Sequence, residues 1–120
     1  MVSERRNLSR RIFSYYMRVF DEVTGEVIGH LADISTSGFK IDSKKPIPPN
    51  AQFVLRIENT GQLGEKDFVT FAACSRWCNR DEYHTSMYNA GFQLTNIEEN
   101  DYHIFLKMFD EYGVQKAGYS

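Results

Sequence analysis

The sequence predicts an all-β core of six antiparallel strands followed by one C-terminal helix. Six short segments between Phe13 and Leu94 are rich in apolar, β-branched and aromatic residues. Most alternate apolar with polar positions, and turns containing Gly, Pro or Asn separate them. After Thr95 the apolar spacing changes to that of a helix face. A length of 120 residues, 42% hydrophobic and 25% charged, fits one soluble globular domain with one modest core. Closure removes unpaired strand edges, which favours a small closed or nearly closed barrel. The pattern alone leaves a sandwich open.

Phe13, Tyr15, Met17 and Val19 alternate with Ser14, Tyr16, Arg18 and Phe20, which marks a first strand. Thr24-Gly25 makes a hairpin tip, so Glu26 to Asp33 returns antiparallel. Gly29 within that return points to a bulge or to close packing of another backbone. Phe39 to Ile41 is a third strand. In Pro46-Ile47-Pro48-Pro49-Asn50, Pro49 suits the first central position of a type II turn and Asn50 the left-handed position after it. Phe53, Leu55 and Ile57 define a fourth strand, and Asn59 to Lys66, with Gly61 and Gly64, an exposed loop. Phe68 to Cys74 is a fifth strand that extends as far as Trp77, and Tyr83 to Leu94 contains a sixth. Trp77 reads as a core or rim residue rather than a stacking platform.

Thr95-Asn96-Ile97-Glu98 fits a helix capping box, with Glu98, Glu99 and Asp101 near the positive end of the dipole. Tyr102, Phe105, Leu106 and Phe109 then form one face, suited to covering a barrel opening or a sheet face, and Gly113 ends the helix.

The net charge of −2 argues against broad nucleic-acid binding. Yet four of the fourteen Lys and Arg residues lie between Arg5 and Arg11, a concentration suited to a compact anion. No run approaches the roughly 18 apolar residues of a membrane span, and no apolar core follows the basic start as in a secretory signal. Membrane insertion is therefore not expected, and a cytoplasmic location is. Cys74 and Cys78 would face the same way on a strand, too far apart for an easy disulfide. With His30, His84 and His103 scattered, a zinc site lacks ligands. Free thiols in a reducing compartment are expected.

Two strings carry the chemistry. Arg6-Asn7-Leu8-Ser9-Arg10 is R-x-x-x-R, and Asp33-Ile34-Ser35-Thr36-Ser37-Gly38 is D-x-S-x-x-G. The plainer reading of the second is an Asx/ST turn between two strands, with Gly38 serving a positive φ or a close backbone approach. The sharper reading is a polar edge that receives a flat, hydrogen-bonding ligand, with the arginines supplying charge. If strand geometry persists, Asp33 and Ser35 point to the same side. The plainer reading of the first string is a solvated basic tail.

In this order, followed by strands and a late helix, the two strings resemble the PilZ domain family, and the resemblance spans Arg5 to Phe109. It implies a six-stranded antiparallel PilZ-like β-barrel with a C-terminal helix and a receptor for the bacterial second messenger cyclic di-GMP. By that resemblance Arg6 and Arg10 contact phosphate and guanine, through donors and a planar face that suit both. Asp33, Ser35 and Gly38 sit against guanine and its neighbouring backbone. Asp33 is an acceptor suited to the guanine N–H donors. An arginine directly before R-x-x-x-R, here Arg5, implies two stacked ligands per chain.

Residues 1–11 are then a flexible ligand-binding leader, 12–113 the barrel domain with its helix, and 114–120 a tail. The chain departs from the family pattern at Asn50, where glycine is frequent, and at Leu94, in place of an aromatic residue. Arg11 likewise replaces the apolar residue often found after the first string. No enzyme motif is present: there is no G-x-S-x-G, no H-E-x-x-H and no phosphate-cradling glycine loop. No cofactor is implied. The partners are cyclic di-GMP and an unidentified downstream protein. The alternatives are a PilZ-like interaction module that binds no nucleotide, marked by missing arginines, and a small barrel for single-stranded nucleic acid, which the acidic balance opposes.

Overall fold

The computed structural model describes residues 17–59 and 66–110. Its strands are β1 (Arg18–Asp21), β2 (Val27–Ile34), β3 (Gly38–Ser43), β4 (Gln52–Glu58), β5 (Phe68–Arg80) and β6 (Tyr88–Asn96), followed by helix α1 (Glu99–Met108). Every pairing is antiparallel, in the order β1-β2-β3-β6-β5-β4, and β1 pairs back onto β4, so the barrel is closed. The sheet topology thus decides for the barrel where patterning had left a sandwich open.

Local chemistry fixes the connections. At the β1–β2 hairpin Gly25 adopts φ 78°, and the Asp21 carboxylate accepts from the Val23 N–H at 2.8 Å. Asn50 takes the left-handed conformation expected of it, with φ 61°. Buried Ser75 anchors that proline-rich turn: its hydroxyl donates to the Pro48 carbonyl at 2.6 Å and accepts from the Ala51 N–H at 3.0 Å.

Alternation places Val19, Leu31, Ile41, Leu55, Ile57 and Val69 fully inside the barrel. Ile104, Phe105 and Met108 of α1 join the same buried cluster, and the Phe105 ring meets Phe71 edge-on at 6.1 Å. The helix therefore covers the end of the barrel where β2 turns into β3 and where β5 begins. Two bonds hold it there: the Tyr102 hydroxyl donates to the Thr36 carbonyl at 3.1 Å, and Lys66 Nζ lies 3.1 Å from Asp101.

Three details of the sequence reading are corrected. Thr95 and Asn96 still belong to β6, so the helix begins after Glu98, which makes no side-chain cap. Sheet pairing, with Asn96 opposite Ala72, outcompetes the capping box. The buried stripe is Asp101, Ile104, Phe105 and Met108 rather than Tyr102, Phe105, Leu106 and Phe109. The Lys66 contact makes burial of Asp101 tolerable, and Tyr102 stays partly exposed with its hydroxyl bonded. Finally, Cys74 and Cys78, both free thiols, do not share a face. Ser75 pairs with Phe92 but Trp77 with Gly91, so Arg76 is an extra residue that reverses the alternation between them. Cys74 pairs with exposed Gln93, and Cys78 with buried Ala90.

The expected start of the first strand at Phe13, the loop glycines Gly61 and Gly64, the helix end at Gly113 and the 114–120 tail lie outside the described residues.

Candidate ligand-binding site

The D-x-S-x-x-G segment closes the β2–β3 connection, and its residue types explain how. The Ser35 N–H and hydroxyl both donate to the Gly38 carbonyl, at 2.8 and 3.2 Å. The Ser37 N–H donates weakly to Ser35 Oγ at 3.4 Å, and the Leu94 N–H reaches the Ser37 carbonyl at 2.8 Å. Asp33 Oδ1 accepts from the Ile34 N–H at 2.9 Å. Gly38 has no positive φ; its need is space, since an added Cβ would run into the Phe92 carbonyl oxygen. Of the two reasons for a glycine, close backbone approach is the one that applies.

A second bulge aims Asp33. Leu31 pairs with Ile41, but Asp33 pairs with Lys40, which makes Ala32 an extra residue on β2. Simple alternation from buried Leu31 would send Asp33 into the barrel. The inserted residue turns it outward instead, opposite Lys40, while Ile34 returns to the core. The Arg76 bulge does the same for Trp77 on β5. The bulges lie on the two strands that flank β3 and β6, and both re-aim a side chain onto the outer surface of this four-stranded face.

That surface holds a cavity of about 640 Å³, within the range of about 300–1,000 Å³ usual for small-molecule sites. Asp33, Ser35 and Gly38 all line it, so three sequence-predicted residues come together. Arg5, Arg6 and Arg10 lie outside the described residues. Sequence reasoning missed Lys40, Arg76, Trp77, Gln93 and Phe109, which line the same cavity. Trp77, 40% exposed, belongs to the rim and not to the core. Lone Gly91 within β6 was the available signal, because a strand glycine marks close approach of another group, here the indole of Trp77.

Among the described residues no group of His, Cys, Asp and Glu could hold a metal ion. No described helix is long and apolar enough to cross a membrane. A closed antiparallel barrel covered by one helix, with an outer cavity beside a hydrogen-bonded turn, defines the class as a small β-barrel domain. The family comparison makes that class definite: the PilZ domain model matches residues 4–110, and the chain belongs to the PilZ domain family. The family is one of cyclic di-GMP receptor domains, not of enzymes.

Among solved structures, the PilZ domain of YcgR from Escherichia coli, determined with c-di-GMP, is similar in fold at a TM-score of 0.57 and 12% identity. That match covers 88% of each chain. No curated protein matches the chain.

Proposed function

We propose that this protein is a cytoplasmic cyclic di-GMP receptor that passes the signal to a partner protein by a change of conformation. The observation that carries the reading is the Asp33–Gly38 turn, closed by its own hydrogen bonds and lining an outer cavity of nucleotide-site size. Asp33 accepts from a guanine N–H edge, and Ser35 and Gly38 hold the turn against β6. Arg6 and Arg10 contribute phosphate and guanine contacts from the leader, and Arg5 offsets the charge of a second, intercalated ligand. Two cyclic di-GMP molecules per chain are the proposed stoichiometry.

The output path is supported by what touches the turn. Tyr102 bonds the Thr36 carbonyl, and Phe109, one residue beyond α1, lines the cavity. A ligand that shifts the turn or displaces Phe109 alters the seat of the helix, and with it the surface offered to a partner.

Calorimetric titration with cyclic di-GMP tests this reading. Binding in the micromolar to submicromolar range is expected, with two ligands per wild-type chain. Arg6→Ala and Arg10→Ala each lose about 1.5–3 kcal/mol per charged hydrogen bond removed, and Lys recovers only part, since it neither forks nor stacks. Arg5→Leu shifts the count towards one. The absence of heat and of any thermal shift at saturating nucleotide would sink the receptor reading and leave an interaction module.

A further inference from the structure

The end of the barrel opposite α1 carries three connections: the β1–β2 hairpin, the β3–β4 link and the β5–β6 loop. Between the last two lies a second cavity, of about 400 Å³. Pro46, Pro48 and Pro49 line it from the link, and Cys78, Arg80 and Tyr88 from the paired ends of β5 and β6. The link offers this cavity little backbone polarity. Prolines have no N–H, the Ile47 N–H donates to Cys78 Sγ at 3.3 Å, and the Pro48 carbonyl accepts from Ser75. This wall therefore presents carbon, and Ser75 and left-handed Asn50 hold its shape before anything binds.

The mouth is basic. Arg80 lies over the Tyr88 ring at 5.2 Å. It donates to the Thr85 carbonyl and the Tyr88 hydroxyl, at 2.7 and 3.2 Å, and retains guanidinium donors for a carboxylate. Exposed Lys44 and Lys45 directly precede Pro46, and none of the three cations forms an ion pair with a described residue. Asp81 turns its carboxylate onto the Tyr83 and His84 N–H groups and Asn89, so Glu82 is the one exposed acid in either connection.

The chain itself carries a matching shape. At the tip of the β1–β2 hairpin Val23 is 82% exposed, with exposed Glu22 before it and exposed Glu26 across the turn. The tip is stiff: the Asp21 carboxylate accepts from the Val23 and Thr24 N–H groups, and Thr24 Oγ1 accepts from the Glu26 N–H at 3.2 Å. Val23 is thus an apolar knob on an acidic turn, and the cavity an apolar hole with a basic rim.

We propose that this end of the barrel is a self-association surface. The Val23 tip of one copy enters the cavity beside Pro46–Pro49 of a second, and Glu26 meets Lys44, Lys45 and Arg80. Because tip and cavity share one end, a two-fold axis lets each copy offer both, which closes a dimer instead of growing a chain. This surface is separate from the cavity beside Asp33, and the proposal does not depend on nucleotide binding.

Sedimentation velocity over a concentration series tests it. The wild type should dimerise in the micromolar range and dissociate as salt rises. Val23→Ser should weaken association about tenfold or more. Glu26→Lys and the double variant Lys44→Glu, Lys45→Glu should each be monomeric alone, because like charges then meet. An equal mixture of those two variants should dimerise again, since both tip-to-cavity contacts become complementary. All the substituted side chains are exposed, so melting temperatures close to wild type are expected for every variant. A wild type that stays monomeric to millimolar concentration needs no variant to overturn the proposal. A mixture that fails to restore the dimer overturns it too, as does a dimer that Val23→Ser leaves unchanged.

Discussion

On the outer face around β1, β4 and the start of β5, cations are held by described residues; on the face carrying the cavity, no described residue forms an ion pair with Lys40 or Arg76. Arg18 forks onto Glu58, with Nη2 to Oε2 at 2.6 Å and Nε to Oε1 at 3.0 Å. Arg56 lies over the rings of Phe20 and Phe68, at 5.1 and 4.4 Å, beside Glu22. Across the barrel, neither Lys40 nor Arg76 forms an ion pair with a described residue. The two faces also differ in register. The cavity face has its bulges beside the residues that matter, whereas β1, β4 and β5 pair without a shift over Leu55–Ile57. Charge satisfied internally serves the fold, whereas Lys40 and Arg76 line the cavity beside the re-aimed side chains without an ion pair to a described residue.

Shortening β2 at its bulge tests this contrast most directly. With Ala32 deleted, Asp33 directly follows buried Leu31, so simple alternation keeps Asp33 outward opposite Lys40 and Ile34 in the core. A urea melt should show a folded barrel, while loss of the local bend in β2 should weaken nucleotide binding. Ala32→Gly keeps the residue count and should come close to wild type. A deletion variant that binds nucleotide as wild type does would mean that the bulge does not shape the cavity.

Next in size is Gly38→Ala. Its methyl group meets the Phe92 carbonyl, which is backbone and cannot rotate away. Forcing β3 and β6 apart should cost about 1–3 kcal/mol, read as a lower melting temperature together with weaker nucleotide binding.

A smaller effect is expected on the opposite face. Arg56→Ala removes the guanidinium from between two rings and should cost about 1 kcal/mol. Nucleotide affinity should not change, because the cavity lies elsewhere. Loss of binding in this variant would show that the two faces are coupled.

Element by element, the sequence reading succeeded where one rule acts alone. Apolar patterning and turn signals together located the six strands, and the left-handed position of Asn50 followed from turn chemistry alone. It failed where two rules compete. Thr95 and Asn96 satisfy a capping box and a strand equally well, and only the pairing of Asn96 with Ala72 decides between them. The helix stripe was misplaced by a turn of the face because Asp101 does not look like a buried residue until Lys66 is beside it. Half the site was legible because Asp33, Ser35 and Gly38 form a local motif. Lys40, Arg76, Trp77 and Gln93 reach the cavity through register, and a single inserted residue such as Arg76 leaves no local trace.

The smallest effects sharpen the comparison through pH, since two outward carboxylates shift in opposite directions. Hydrogen bonding to Arg18 holds Glu58 below its ordinary value of 4.5, although partial burial opposes this. Its contribution is present above that ordinary value and is lost as pH falls through the lower folded one. Asp42, on β3 two residues from Lys40, is raised above 3.8, chiefly by burial, with Lys40, His30 and His84 pulling the other way and Asp81 adding to the rise. Its ionised form is therefore a penalty, present above the raised folded value and gone below 3.8. At pH 7 Glu58→Gln should lower the melting temperature and Asp42→Asn should raise it, both slightly, since exposed pairs contribute little. Both differences should vanish at a pH where the carboxylates are protonated in the folded and unfolded chains alike. Melting curves of the three proteins across pH 2–7 check this. A destabilising Asp42→Asn at neutral pH would mean that attraction to Lys40 and the histidines outweighs burial, and that this carboxylate is held by its neighbours as firmly as Glu58 is held by Arg18.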